Sequence, residues 1–149
     1  MRRPNPPQAL VLAEADDAEA QFYEALQQGD LARLMAVWAD DDDIVCVHPG
    51  GERVVGAAAI RASFEALFSG GGVPVMPGQW RRINGQGVAV HTLVERLHRH
   101  GQPADPAHNV LATNVYLHTP LGWRLVAHHA SPGGSETPAA APEWPSTLH

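Results

Sequence analysis

The chain has 149 residues, among them ten arginines and no lysine, sixteen acidic residues, nine histidines and one cysteine, for a formal charge of −6. That length suits one domain with its own core; without lysine there is no Schiff-base chemistry and no phosphate-loop lysine, and one cysteine makes neither an intrachain disulfide nor a cysteine-rich zinc site. The acidic balance argues against a nucleic-acid partner, which wants a basic face, and no apolar run reaches the ~18 residues of a membrane span.

Arg2 and Arg3 precede Leu10-Val11-Leu12, but that apolar stretch is too short for an export signal, so the chain reads as soluble and cytoplasmic. Residues 1–9 hold three prolines, and residues 132–149 are rich in Pro, Gly and Ala. Both ends therefore read as tails, the second carrying an unengaged Trp144, around one domain at 10–131. From Leu10 to Gln28, Ala15, Ala18, Phe22 and Leu26 recur at helical spacing. Gly29 stops that helix, and Asp30 caps a short second one over Leu31 to Trp38. Asp40 to Asp43 follow a helix C-terminus, whose dipole repels them, so they belong in a solvated loop; the alternating acids and glycine of a calcium loop are missing.

Ile44 to Val47 reads as a β-branched strand ending at the turn His48-Pro49-Gly50-Gly51, with Cys46 as a small buried apolar residue. Gly56 opens a third helix with Ile60, Phe64, Leu67 and Phe68 on its inner stripe. The run Gly70-Gly71-Gly72 ends that helix and lacks the context of a phosphate loop. Four strands then run roughly over Val75–Ile83, Gln86–Arg99, Asn109–Thr119 and Gly122–Ala130. Asn84-Gly85 predicts a two-residue hairpin turn. Three helices followed by consecutive strands joined by short turns give an α+β domain with helices packed on one face of a mainly antiparallel sheet.

The order Phe22-Tyr23-x-Ala25-Leu26-x-x-Gly29-Asp30-Leu31, Trp38-Ala39-Asp40-Asp41, His48-Pro49 and Gly56-x-x-x-Ile60 resembles the start of an NTF2-like domain. Thr113-Asn114-x-Tyr116 followed by Gly122-Trp123-Arg124-x-x-x-His128-His129-x-Ser131 is similar to its last hairpin. The likeness spans about residues 10–131 and fits the SnoaL-like branch, close to the association domain of calcium/calmodulin-dependent kinase II. It implies a cone, in which a strongly curved sheet wraps three N-terminal helices around a pocket, and a homodimer formed through the sheet.

Matched to ketosteroid isomerase within that superfamily, the tyrosine, general base and second acid fall on Phe22, His48 and Asn114. An imidazole can move a proton near neutral pH and an amide can donate to an oxyanion, but Phe22 donates nothing, so steroid isomerisation is not expected. His48 has a second reading as a histidine capping its own turn. His128 and His129 are strand neighbours and face opposite ways. The face shared by Trp123, Leu125, Ala127 and His129 puts His129 in the pocket; the opposite parity would put His128 there. Phe22, Trp38, Trp80, His91 and Tyr116 are the expected ligand-lining residues, with plain core packing as the other reading for the tryptophans. His98-x-His100 with His108 reads as a solvated polar loop rather than a zinc site, so no metal and no cofactor is expected.

Three functions follow as expectations. The first is a small-molecule-binding domain with an apolar cone pocket bearing a few polar groups. The second is an isomerase, dehydratase or cyclase using His48 or His129 as base and Asn114 as oxyanion donor. The third is a homo-oligomeric assembly module.

Overall fold

The computed structural model describes residues 12–98 and 108–133. Three helices, α1 (Ala15–Gln28), α2 (Leu31–Ala36) and α3 (Ala57–Leu67), pack against a six-stranded sheet of β1 (Val45–Val47), β2 (Arg53–Val55), β3 (Val75–Gly85), β4 (Val88–Leu97), β5 (Val110–Thr119) and β6 (Gly122–Pro132). The strand order is β2-β1-β6-β5-β4-β3. Every pairing is antiparallel except β1 with β6, so the chain's first strand lies beside its last. The sheet is open and curved, as expected for an α+β cone. Among the described residues no helix is long and apolar enough to cross a membrane.

Local chemistry sets the helix limits. Asp17 accepts from the Glu14 backbone N–H at 3.0 Å, satisfying a donor at the start of α1. Gly29 ends α1 at φ 68°, and the Asp30 side chain accepts from the Arg33 N–H at 3.1 Å to begin α2. The buried face of α1 carries Ala15, Ala18, Phe22 and Leu26 as the spacing predicts, and also Glu19 and Tyr23. Phe22, Leu34, Ile60, Phe64, Leu93, Ala112 and Leu125 form the core between the helices and the concave sheet face.

Three details differ from the sequence reading. The first helix begins at Ala15, with Leu12 bridging to Gly122 instead of extending it. Arg53–Val55, to which the sequence reading assigns no element, forms a strand against β1 after the expected turn at residues 48–51. The β3–β4 turn falls at Gln86-Gly87, since Gly85 pairs with Val88 and Gly87 takes the positive φ of 73°. Moving a turn by two residues leaves every side chain on its predicted face, so burial still fixes the register. The expected tails and the histidine-containing loop at 100 lie outside the described residues.

Two of the long strands, β3 at the sheet edge and β6 between β1 and β5, carry a bulge. In β3, Gly78 pairs with Val94 but Arg81 pairs with Thr92, and Gln79 takes φ 54°. In β6, Val126 is the extra residue, because Val115 pairs with Ala127 while Tyr116 pairs with Leu125. An extra residue resets the alternation of faces beyond it.

Gly72 lies against the C-terminal end of α1, where a Cβ would come within 1.9 Å of the Gln27 carbonyl oxygen, while a Cβ on Gly70 would meet nothing within 4 Å. Gly72→Ala should therefore cost about 2 kcal/mol or more of unfolding free energy through forced backbone displacement. Gly70→Ala should stay within about 0.5 kcal/mol of the parent in the same urea titration.

Candidate functional site

The sheet register places one polar row across the concave face. Arg82 on β3 pairs with His91 on β4, His91 with Asn114 on β5, Asn114 with His128 on β6, and His128 with Cys46 on β1. His91, Asn114, His128 and Cys46 are all buried. Tyr116 and Glu95 lie on neighbouring rows of the same face, and α1 lowers Glu19 and Tyr23, one turn apart, onto them.

Hydrogen bonds join these groups into one network. The same oxygen of Glu19, Oε2, accepts from Tyr116 Oη at 2.7 Å, from His91 Nδ1 at 2.9 Å and from Asn114 Nδ2 at 3.4 Å. Asn114 Nδ2 also donates to Tyr23 Oη at 3.0 Å, and Tyr23 Oη donates to Glu95 at 2.7 Å. On the other side, Asn114 Oδ1 accepts from His128 Nδ1. Donors thus converge on two carboxylates, with the Asn114 amide as the bridge between them. Carboxylate acceptance places a proton on His91 Nδ1, and the ring's Nε2 lies 3.8 Å from Asp16 Oδ1.

Burial governs the titration of this interior. It raises both phenols well above their ordinary value, with Glu95 adding to the effect at Tyr23 and Glu19 at Tyr116, so both remain donors. Burial pushes Glu95 up to about 7; the Tyr23 hydrogen bond opposes that rise and Glu19 adds to it. Burial, together with the positive charges available to His48 and His129, drives His128 down to about 3. His128 is therefore a neutral hydrogen-bond donor at physiological pH and not an acid–base group.

The network opens on a cleft between α1 and the β3–β4 hairpin. One lobe, of about 450 Å³, is walled by Glu19, Tyr23, Met76, Pro77 and Trp80. A second, of about 310 Å³, is walled by Glu14, Asn84, Ala89, His91 and Trp123. Asp16 and Arg82 border both lobes, and their ion pair at 3.0 Å stands between them. The Arg82 guanidinium also lies over the Trp80 ring at 5.1 Å from its centroid.

The predicted residues divide sharply. Asn114, His91 and Tyr116 meet in the network, and Trp80 edges the cleft. His129 is exposed on the outer face, and His128 points inward. Unbroken alternation from Leu125 would have given the reverse; the bulge at Val126 inverts it. Phe22 is fully buried, edge-on to Tyr23 and Phe64. Trp38 is buried beside a separate groove of about 670 Å³, and its Nε1–H is the one buried side-chain polar atom without a partner among the described residues.

His48 does not join Asn114. Its Nε2 lies 3.0 Å from Ser63 Oγ and its ring packs edge-on against Phe64, so the imidazole ties its turn to α3. Burial lowers its pKa. Burial pushes the Cys46 thiol up to about 12, so it is no nucleophile. Charged and polar groups occupy the floor of the cleft beside an apolar wall of Met76, Pro77 and Trp80. Sequence reasoning passed over Glu19, Tyr23, Glu95, Asp16 and Arg82. One signal was available: Glu19 interrupts the apolar stripe of α1, and a carboxylate on a buried stripe needs dedicated donors.

Comparison with known proteins follows this geometry. The SnoaL-like domain profile matches residues 16–134. A crystal structure from Thiobacillus denitrificans, of a protein named for the calcium/calmodulin-dependent protein kinase type II association domain, is 34% identical with a TM-score of 0.77, covering 84% of this chain and 99% of that one. A protein of the NTF2-like family from Streptomyces avermitilis, named as a candidate dehydratase, is 30% identical with a TM-score of 0.68, covering 79% and 92%. An NTF2-like protein of unknown function from Pseudomonas putida, 20% identical with a TM-score of 0.68 over 87% and 93% of the two chains, shares the fold. No curated protein matches the chain.

A raised Glu95 makes stability depend on pH in a known direction. Its contribution is fully present below the ordinary carboxyl pKa of 4.5 and is lost as pH rises through about 7, where the native state must hold a buried charge. Glu95→Gln should match the parent near pH 4 and exceed it at pH 8 by roughly 3 kcal/mol. Urea unfolding at the two pH values measures this, and a Glu95→Gln protein no more stable than the parent at pH 8 would contradict it.

Proposed function

The chain belongs to the SnoaL-like family of NTF2-like domains, and on that premise we propose that it binds a small molecule in the two-lobed cleft between α1 and the β3–β4 hairpin. One observation carries the reading: Glu19, Tyr23 and His91 are buried, yet each borders the cleft, while Met76, Pro77 and Trp80 supply an apolar wall. Few convergent polar groups beneath an apolar wall is the usual make-up of a ligand pocket. The ligand would set a hydroxyl or carbonyl on the polar floor and an apolar body against Trp80.

A second reading, proton transfer as in an isomerase or dehydratase, draws on His91. Its Nδ1–H is held by Glu19, which orients Nε2 toward Asp16 and the cleft, the arrangement of an imidazole general base. This base differs from the His48 and His129 expected from the sequence. The name of the Streptomyces avermitilis relative is compatible with such chemistry.

The reading also includes a homodimer through the outer sheet face, where Leu111 and Leu117 stand exposed on β5. Light scattering should give twice the chain mass; a monomer would remove the dimer, and a larger assembly would favour the scaffold function instead.

Thermal-shift screening of small hydroxyl- and carbonyl-bearing compounds tests the binding reading. A true ligand at a hundred times its Kd stabilises by about 2.7 kcal/mol, and the shift should shrink in Trp80→Ala. Hits indifferent to Trp80 and Arg82 would place binding elsewhere. For any compound that turns over, His91→Gln should abolish the rate while retaining affinity.

A further inference from the structure

We propose that the lobe walled by Trp80 selects a protonated amine carried on an apolar body. The proposal rests on the cleft reading above and narrows it, because the floor of that lobe offers an acceptor while its donors are spent.

The acceptor is Glu19 Oε1. All three donors to this carboxylate fall on Oε2, and among the described residues none reaches Oε1. Trp38 Nε1 is the one sealed side-chain polar atom without a partner among the described residues, so Oε1 is not sealed and meets the space that Glu19 borders. A side chain only 4% exposed thus presents one unpaired carboxylate oxygen to the cleft. Burial makes such an acceptor costly to leave bare, and a ligand N–H relieves that cost.

The donors around it are committed elsewhere. Tyr23 Oη donates to Glu95, and Gln27 Nε2 donates to the Val75 carbonyl at 2.6 Å. Arg82 gives its Nε–H to Asp16 and lays its guanidinium over Trp80. Asp16 therefore has Arg82 and Glu24 has Arg33, which leaves Glu19 as the acid of this lobe without an arginine partner among the described residues. A ligand carbonyl or carboxylate would bring acceptor against acceptor. A hydroxyl supplies one neutral donor, whereas an ammonium supplies three charged ones. Met76, Pro77 and Trp80 then cover the apolar body.

The test is calorimetric titration of the full chain, near neutral pH, with 2-phenylethylamine, 2-phenylethanol and phenylacetate. These probes share a benzyl body and differ in the head group. The amine should bind roughly tenfold tighter than the alcohol, with the carboxylate weakest. Glu19→Gln should bring the amine down to the affinity of the alcohol. Arg82→Ala, a change at a partly exposed position, should tighten the amine alone by removing a competing cation, and it keeps the test open if Glu19→Gln does not fold. Trp80→Ala should weaken every probe that binds.

Equal affinities for the three head groups, all weakened in Trp80→Ala, would overturn amine selection and leave cleft binding standing. Tightest binding of phenylacetate, lost in Arg82→Ala, would overturn it in favour of an anion site. Affinities indifferent to Trp80 would overturn both readings. Binding by none of the probes up to about 10 mM would overturn amine selection, with cleft binding then decided by the wider compound screen.

Discussion

A carboxylate buried inside a small domain must be hydrogen-bonded, and the interior of this cone is arranged to do that for Glu19. An unpaired charge there would cost several kcal/mol. Three donors from two strands meet one of its oxygens, which ties the polar face of α1 to β4 and β5 at a single register. Slipping either strand by one residue would turn His91 or Asn114 outward and leave the carboxylate bare. The network therefore specifies the packing of helix on sheet as much as it stabilises it.

Asn114 is the centre of that constraint, because an amide alone offers both an acceptor and two donors there. Its oxygen takes the His128 proton, and its nitrogen serves Tyr23 and Glu19. The two perturbed titrating groups at the ends of the network pull in opposite directions with pH. His128 contributes stability that is present above its ordinary 6.5 and is lost as pH falls through about 3. Glu95 loses its contribution over a partly overlapping range as pH rises. Between roughly pH 4.5 and 6.5 the two slopes offset each other, so these residues together make the interior tolerant of mild acid.

Much of the fold was legible because it rests on local signals. The stripe Ala15–Ala18–Phe22–Leu26, the stop at Gly29 and the cap at Asp30 are all near-neighbour effects, and each holds in the structure. The site was less legible because it is a row across strands. Arg82, His91, Asn114 and His128 are scattered along the chain, and only strand pairing aligns them. The parity of β6 could not be read from alternation, since one extra residue at Val126 reverses it, and nothing in Leu125-Val126-Ala127 marks a bulge. His91 was recoverable through its shared phase with Leu93 and Glu95. Glu19 was visible as an acid on an apolar stripe, but its partners lie on β4 and β5.

The irregularity in β3 has a consequence beyond the cleft it borders. β3 is an edge strand of eleven residues, long enough to recruit another chain by backbone pairing. Pro77 lacks an N–H, Gln79 turns left-handed, and Arg81 and Arg82 place two charges just beyond. These features break the run of free donors and acceptors that templated strand addition requires. The same kink that re-aims Trp80 and Arg82 thus guards the open margin of the sheet against fibrous growth.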